Sequence, residues 1–323
     1  MAGIYIHIPF CRKACTYCNF HFSTSLGQKD DMLEAIAREL IMQKDFLEAA
    51  SVETIYFGGG TPSLLSAEEL LRIFDLIEKH YDISKLQECT LEANPDDLNP
   101  QYIQQLKRTP VNRFSIGVQS FFDSDLKYMN RAHSAQQADY AIKAAQDGGF
   151  EKLTIDLIYG TPGLSLGAWQ ENLEKVKNLS IPHFSAYALT VEEGTALHHA
   201  IRQKKQKPVD QEQSAVQFEY LMEFAPQIGF EQYEISNFAS KGQYALHNTN
   251  YWKGIPYLGI GPSAHSFDGK NRRSNIANNS KYLKGILQEK KLDFEEELLS
   301  QTQRINEYIM TSIRTIRVVV WQN

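Results

Sequence analysis

Cysteine is scarce in this chain: four residues in 323, at positions 11, 15, 18 and 89. An oxidised, secreted scaffold needs more, spread so as to close long loops, and three thiols within one short loop cannot all pair with one another. Positive charge is not in excess either: 33 basic against 39 acidic residues leave a formal charge of −6. That balance argues against a protein whose main task is gripping nucleic acid by charge, and no nucleic-acid partner is expected. Long apolar runs are missing too. The one near the start, Ile4 to Phe10, is broken by His7 and Pro9. It is too short to span a membrane and lacks the form of a signal peptide, so a cytoplasmic protein without a membrane span is expected. There is no internal repeat of fixed period and no low-complexity segment.

What is present is ordinary globular material, 42% hydrophobic and 22% charged, long enough for about two domains or one barrel with an addition. Over the first 190 residues, short apolar runs alternate with longer amphipathic stretches. The runs predict strands at 4–8, 54–57, 88–92, 113–118, 153–158 and 183–189. Between them, Leu33, Ile36, Leu40 and Leu47 lie at helical spacing from about Asp30 to Leu47. Ser66 followed by Glu69 reads as a capping box opening a second helix, and further helices begin near Asn99, Ser134 and Gly167. Six strand–helix units imply a parallel sheet with helices outside it, either open or partly closed. Gly-rich and polar stretches follow the strands: GGGTPS after Phe57, EANPD after Leu91, QSF after Val118, YGTPG after Ile158. In both architectures chemistry collects at the carboxyl ends of parallel strands, so these loops should share one face.

Beyond Leu189 the pattern changes. A helix-like segment from Glu192 ends in the basic run Arg202 to Lys207, best read as a solvated helix end. A helix from about Asp210 to Gln227, an aromatic-rich strand-and-loop section from Tyr233 to Phe267 and two more helices follow. The division expected is a first domain at 1–190 and a C-terminal region at 191–323.

Cys11-x3-Cys15-x2-Cys18 sits in the loop after the first strand. Zinc sites bring four ligands in two separated pairs, and no second pair exists here. Three thiolates can hold three irons of a [4Fe–4S] cube, leaving the fourth iron open to the amino and carboxylate groups of a small molecule. Cys89, in an apolar strand-like segment, reads as a small buried hydrophobe. Gly58, Gly59 and Gly60 after a strand let backbone approach a ligand closely, where N–H groups could bind it. GIGPSA, from Gly259 to Ala264, is a poor dinucleotide fingerprint: Pro262 follows the second glycine and no acidic residue stands where a ribose would need it.

The cysteine spacing after a first strand resembles the signature of radical S-adenosylmethionine proteins. IYIHIPFCRKACTYCNF, YFGGGTPSLL, LEANPD, GVQSF, NRAH, IDLIYGTPG and YLGIGPSAHSF together resemble the oxygen-independent coproporphyrinogen III oxidase family, in order and along nearly the whole chain. The resemblance implies an α/β fold: a partial (β/α)6 TIM-like barrel, the radical SAM core, with an additional α+β C-terminal region. It implies that Cys11, Cys15 and Cys18 hold the cluster and that Gly59, Gly60 and Thr61 bind the amino end of S-adenosylmethionine. It further implies that Glu92, Gln119, Arg131 and Asp156 surround its methionyl and ribose groups, with Tyr5 and Tyr17 flanking the cluster.

Two departures point to a sister group. The oxidases carry a fourth cysteine where this chain has Phe20, and a longer segment ahead of the first strand. Both differences are found in the haem chaperone (HemW-type) group, which also carries His-Asn-x-x-Tyr-Trp, here His247 to Trp252. An imidazole beside two large aromatics suits a haem site, and His247 is the expected iron ligand; otherwise it is a core histidine packed among aromatics. His7, His21 and His265 border the same face. The function implied is haem binding and delivery to acceptors such as respiratory haem enzymes. The competing function is oxidative decarboxylation of coproporphyrinogen III propionates. The ending IRVVVWQN departs from the family, whose members continue further, so the C-terminal region is expected to be truncated.

Overall fold

The computed structural model describes residues 1–316; most of IRVVVWQN lies outside the described residues. The element order is β1 (Ala2–Ile8), α1 (Lys29–Met42), β2 (Val52–Gly59), α2 (Ala67–His80), β3 (Glu88–Ala93), α3 (Pro100–Leu106), β4 (Arg113–Gln119), α4 (Asp123–Tyr128), α5 (Ala135–Asp147), β5 (Lys152–Tyr159), α6 (Leu166–Asn178) and β6 (His183–Ala188). Then follow α7 (Ala196–Arg202), α8 (Gln211–Gln227), β7 (Phe230–Gln232), β8 (Asn237–Ser240), α9 (Leu246–Trp252), β9 (Tyr257–Ile260), β10 (His265–Phe267), β11 (Asn271–Asn275), α10 (Asn279–Leu283), β12 (Phe294–Leu298) and α11 (Gln301–Ser312).

Strands β1 to β6 pair in sequence order and all in parallel. The sheet does not close. Its order, β12-β11-β10-β9-β1-β2-β3-β4-β5-β6-β8-β7, gives a partial (β/α)6 barrel extended at both ends by strands from the second half of the chain. Strand β9 runs parallel to β1, while β10, β11 and β12 continue antiparallel beyond it. The main apolar core runs from Ala2 to Ile286 and includes the fully buried Trp169 and Cys89, and a smaller cluster joins Leu126, Met129, Ile158, Leu189 and Leu197.

The six barrel strands fall where the apolar runs predict them, because strands covered on both faces are nearly continuous in hydrophobic residues. Helix starts also follow local chemistry. Ser66 accepts from the Glu69 N–H and Glu69 reaches back to the Ser66 N–H, while Asn99, Ser134 and Ser165 cap α3, α5 and α6. Helix α1 ends at Met42 rather than Leu47: Glu48 and Ala49 take positive φ, and Leu47 reaches the core from a turn. The basic run Arg202 to Lys207 begins at the last residue of α7 and continues into an exposed turn. The HNTNYW stretch, expected among strands and loops, is helix α9. Its first N–H groups, on Leu246 and His247, both donate to the buried Glu88 carboxylate at 2.9 Å, which satisfies donors that a helix start leaves open.

Candidate functional site

The loop between β1 and α1 carries Cys11, Cys15 and Cys18, all half-buried, and is tied down along its length. Cys11 N–H donates to Ser23 O at 3.0 Å, Thr16 N–H to Met129 O at 3.0 Å, and Leu197 N–H to Thr16 O at 2.7 Å. Asn130 Nδ2 holds Ala14 O at 2.8 Å. The segments that follow β4 and β6 thus meet the cysteine loop.

Donors are aimed at the sulfurs. Thr61 Oγ1 donates to Cys11 Sγ at 3.3 Å, and Arg131 Nη1 to Cys15 Sγ at 3.3 Å. Burial pushes the Cys11 thiol up to about 11 against the Thr61 hydrogen bond, with Cys18 and Cys15 adding to the rise, and burial also raises Cys18. Binding iron therefore releases protons, while Thr61 and Arg131 favour the thiolate form. Among the described residues no group of His, Cys, Asp and Glu is spaced to chelate a single metal ion. Three thiols on one loop could each hold a separate iron of a cube.

Behind the cysteines lies a connected set of polar side chains. Asn94 Nδ2 donates to Thr61 Oγ1 at 3.2 Å, and Arg131 Nη2 donates to Asn94 Oδ1 at 2.6 Å and to Gly117 O at 2.8 Å. Gln119, buried at the end of β4 with φ of 67°, packs near this guanidinium: a Cβ on Gly117 would meet Gln119 Nε2 at 3.0 Å and Arg131 Nη2 at 3.1 Å. Arg131 Nε is buried and has no partner among the described residues. A buried donor without an acceptor is free to be met by a ligand or a water. Tyr17 is half-buried, and burial raises its hydroxyl, with the Arg131 charge opposing.

Deeper in the barrel mouth, Glu92 accepts from Tyr56 Oη at 2.8 Å and from Gly59 N–H at 3.2 Å, while Ser115 donates to Asp156 at 3.3 Å. Burial lifts Glu92 to about 7, with Asp156 adding repulsion, and lifts Asp156 to about 6. Tyr5 stacks on Tyr56 with ring centroids 6.0 Å apart. The glycines are required by contact: a Cβ on Gly59 would lie 2.6 Å from the His7 ring, and one on Gly60 2.6 Å from Phe10 O. The expectation that N–H groups of this loop bind a ligand needs correction. Gly59 N–H is engaged by Glu92, and Gly60 N–H donates to Ile8 O at 2.9 Å, so these two residues can offer only carbonyl oxygens, which suit an amine. Asn94 and Tyr56 belong to this site and were not singled out from sequence. Tyr56 was legible by alternation on β2, and Asn94 as the polar residue directly after β3.

Beside the barrel, between the cysteine loop, β9–β10 and α11, lies a cleft of about 850 Å³ whose walls include Tyr5, Phe20, Tyr251, Tyr257, Phe267 and Tyr308. That volume falls in the range of small-molecule sites. Phe20 is 69% exposed. Arg272 and Arg304 also line the cleft; Arg272 is paired in both arms with Glu307 at 2.7 and 2.9 Å.

His247 stands one ring behind this cleft. Its Nδ1 lies 2.8 Å from Thr54 Oγ1 and its Nε2 2.9 Å from Tyr251 Oη, and the ring stacks on Tyr56 at 5.0 Å. Burial lowers its pKa to about 3, so it is neutral. Both nitrogens are thus engaged, and ligation by Nε2 requires the Tyr251 hydroxyl to withdraw. GIGPSA serves chain packing, as its poor match to a nucleotide fingerprint suggests. A Cβ on Gly259 would lie 2.0 Å from His265 O, and Gly261 N–H donates to Glu39 Oε2 at 2.8 Å.

The radical SAM superfamily model matches residues 5–176. The chain is 36% identical over 310 residues to the heme chaperone HemW of Lactococcus lactis, covering 96% of this chain and 80% of that protein. It is 32% identical over 322 residues to the heme chaperone HemW of Escherichia coli, covering 97% of this chain and 82% of the relative. Among solved structures, the coproporphyrinogen III oxidase HemN of E. coli, described as a radical SAM enzyme, superposes with a TM-score of 0.83 at 23% identity, over 97% of this chain and 75% of that one. At that identity the likeness concerns the fold.

Proposed function

We infer the function from family and geometry together: the chain belongs to the radical SAM superfamily, in the group of the heme chaperone HemW, and we propose that it binds a [4Fe–4S] cluster, S-adenosylmethionine and haem, and passes haem to acceptor proteins such as respiratory haem enzymes. Cys11, Cys15 and Cys18 would hold the cluster, with Thr61 and Arg131 donating to two of the sulfurs. When bound, the cluster supplies an iron with an open position for the amino and carboxylate groups of S-adenosylmethionine. Tyr5, Tyr17, Gly59, Gly60, Thr61, Glu92, Gln119, Arg131 and Asp156 are the residues that would orient that cofactor and keep water from it.

One observation carries the haem assignment. The aromatic cleft adjoins the cysteine loop, is the size of a small-molecule site and has guanidinium groups at its rim, which is the chemistry of a flat macrocycle bearing carboxylates. His247 is proposed as an iron ligand that exchanges its bond to Tyr251 for one to the metal. His247→Ala should weaken hemin binding several-fold and leave cluster assembly intact; unchanged hemin affinity and spectrum would remove His247 from the site. The competing function, coproporphyrinogen III decarboxylation, has Phe20 against it, where the oxidases have a cysteine. Anaerobic reconstitution followed by parallel assays with hemin and with coproporphyrinogen III, each with S-adenosylmethionine and reductant, separates the two. Stoichiometric hemin binding without decarboxylated product supports the chaperone. Turnover to protoporphyrinogen makes the protein an oxidase.

A further inference from the structure

Four histidines stand at or near the cleft, and they differ in how their rings are used. His7 has Nε2 2.8 Å from His21 O and Nδ1 3.3 Å from Tyr5 Oη. His21 has Nε2 2.7 Å from Asn279 Oδ1. His247 has both nitrogens engaged, by Thr54 and Tyr251. His265, on β10, is exposed in the cleft, and its ring makes no hydrogen bond among the described residues.

An exposed histidine on a short strand is ordinarily a solvated one. Three features set this one apart. First, its backbone is fixed. Gly259 of β9 admits the His265 carbonyl so closely that any Cβ there would collide with it. The neighbouring Ser266 hydroxyl accepts from Gly259 N–H at 2.9 Å, and Gly261, at the start of the intervening turn, is held by the buried Glu39. Second, alternation along β10 puts His265 and Phe267 on the cleft side and Ser266 on the buried side. The imidazole is therefore presented next to an aromatic wall, with the Phe267 and Tyr257 rings 6.4 Å apart. Third, the cleft brings cations into the same space. Arg304 lines it and has no carboxylate partner among the described residues, whereas Arg272 is committed to Glu307. An unengaged imidazole on rigid backbone, flat apolar walls and an unpaired guanidinium match the three parts of an iron porphyrin: metal, macrocycle and propionates.

We propose that His265 is a ligand to haem iron in this cleft, with Arg304 facing a propionate. This assignment rests on the haem reading of the cleft. It differs from the His247 assignment in one respect: the His265 ring makes no hydrogen bond among the described residues, so ligation by it needs no displacement of Tyr251.

The test is a hemin titration of the full chain, followed by absorption and by paramagnetic resonance of the ferric haem, for the unmodified protein, His265→Ala and His265→Gln. Both variants should bind hemin at least about ten-fold more weakly, in line with the loss of a metal-site group, and show an altered spin state. Free imidazole added to His265→Ala should restore the original spectrum. Iron–sulfur content after reconstitution serves as the folding control and should match the unmodified protein. Unchanged affinity and spectrum in both variants would overturn the proposal. So would weaker binding with an unchanged spectrum and no imidazole rescue, which would make His265 a packing contact. If the unmodified protein does not bind hemin at all, the haem reading itself fails, and that result is distinct from the other two.

Discussion

The barrel mouth and the aromatic cleft lie side by side on this molecule and are built in opposite ways. In the mouth, nearly every polar side chain is locked to another: Thr61 to Cys11 and Asn94, Arg131 to Cys15, Asn94 and Gly117, Glu92 to Tyr56 and Gly59. In the cleft, Phe20, His265 and Arg304 are exposed, and α11, which forms one wall, buries none of its side chains. Interlocked polar groups hold a resident cofactor in fixed geometry, because each bond restricts its neighbours. Exposed rings and an unpaired guanidinium suit a cargo that must arrive and leave, since little has to be broken on release.

The largest effect expected belongs to the mouth. Cys15→Ala should abolish the iron–sulfur absorption after anaerobic reconstitution, because a cube cannot be held by the two remaining thiols of the loop; a variant that still assembles a full cube would break the comparison at its firmest point. Next is Arg131→Leu, which strands the acceptors Asn94 Oδ1 and Gly117 O. Two half-buried acceptors left unsatisfied should lower stability by about 2 kcal/mol in urea unfolding. A loss under about 1 kcal/mol would mean that the mouth is not interlocked in the sense argued.

Glu39 supports the cleft side from below. On α1, and fully buried, it accepts from Gly261 N–H at 2.8 Å, Asn275 Nδ2 at 2.7 Å and Tyr282 Oη at 2.5 Å, and so pins the turn that leads into β10. Burial raises its pKa from 4.5 to about 7, against those hydrogen bonds. A folded-state pKa above the unfolded one means the folded protein holds the proton longer. Its stabilising contribution is complete below about pH 4.5 and is lost as pH rises through about 7. Glu39→Gln should flatten this decline in thermal stability between pH 5 and 8, by up to about 3 kcal/mol at the alkaline end. An identical pH dependence in the variant would show that Glu39 does not titrate in that window. The smallest effect expected is that of Tyr251→Phe, which frees His247 Nε2. Hemin affinity should change by no more than about five-fold, with a rise in the fraction of imidazole-ligated haem.

Sequence patterns are most informative where the chain is covered on both faces. The barrel strands, the Ser66–Glu69 capping box and the cysteine loop all follow from local composition. The flanking region is harder to read for physical reasons. Strand β12, FEEEL, is exposed at every residue, and β11, NRRSN, has no apolar alternation. They are held by backbone pairing and by Arg273, which bonds Glu296 at 2.6 Å and lies over Phe294. Helix α9 is stabilised by Glu88, more than 150 residues earlier in the chain, a contact no local window contains. The engagement of His247 by Thr54 is likewise long-range, whereas its motif, HNTNYW, is local. A motif therefore locates a histidine without revealing which of its nitrogens are available.

The central claim is that cluster and haem occupy separate sites on one face. Hemin titration of Cys15→Ala, compared with the reconstituted unmodified protein, tests it most directly. Equal stoichiometry, with affinity within about two-fold, is predicted, since no cysteine lines the cleft. Loss of hemin binding together with the cluster would contradict it and merge the two regions into one site.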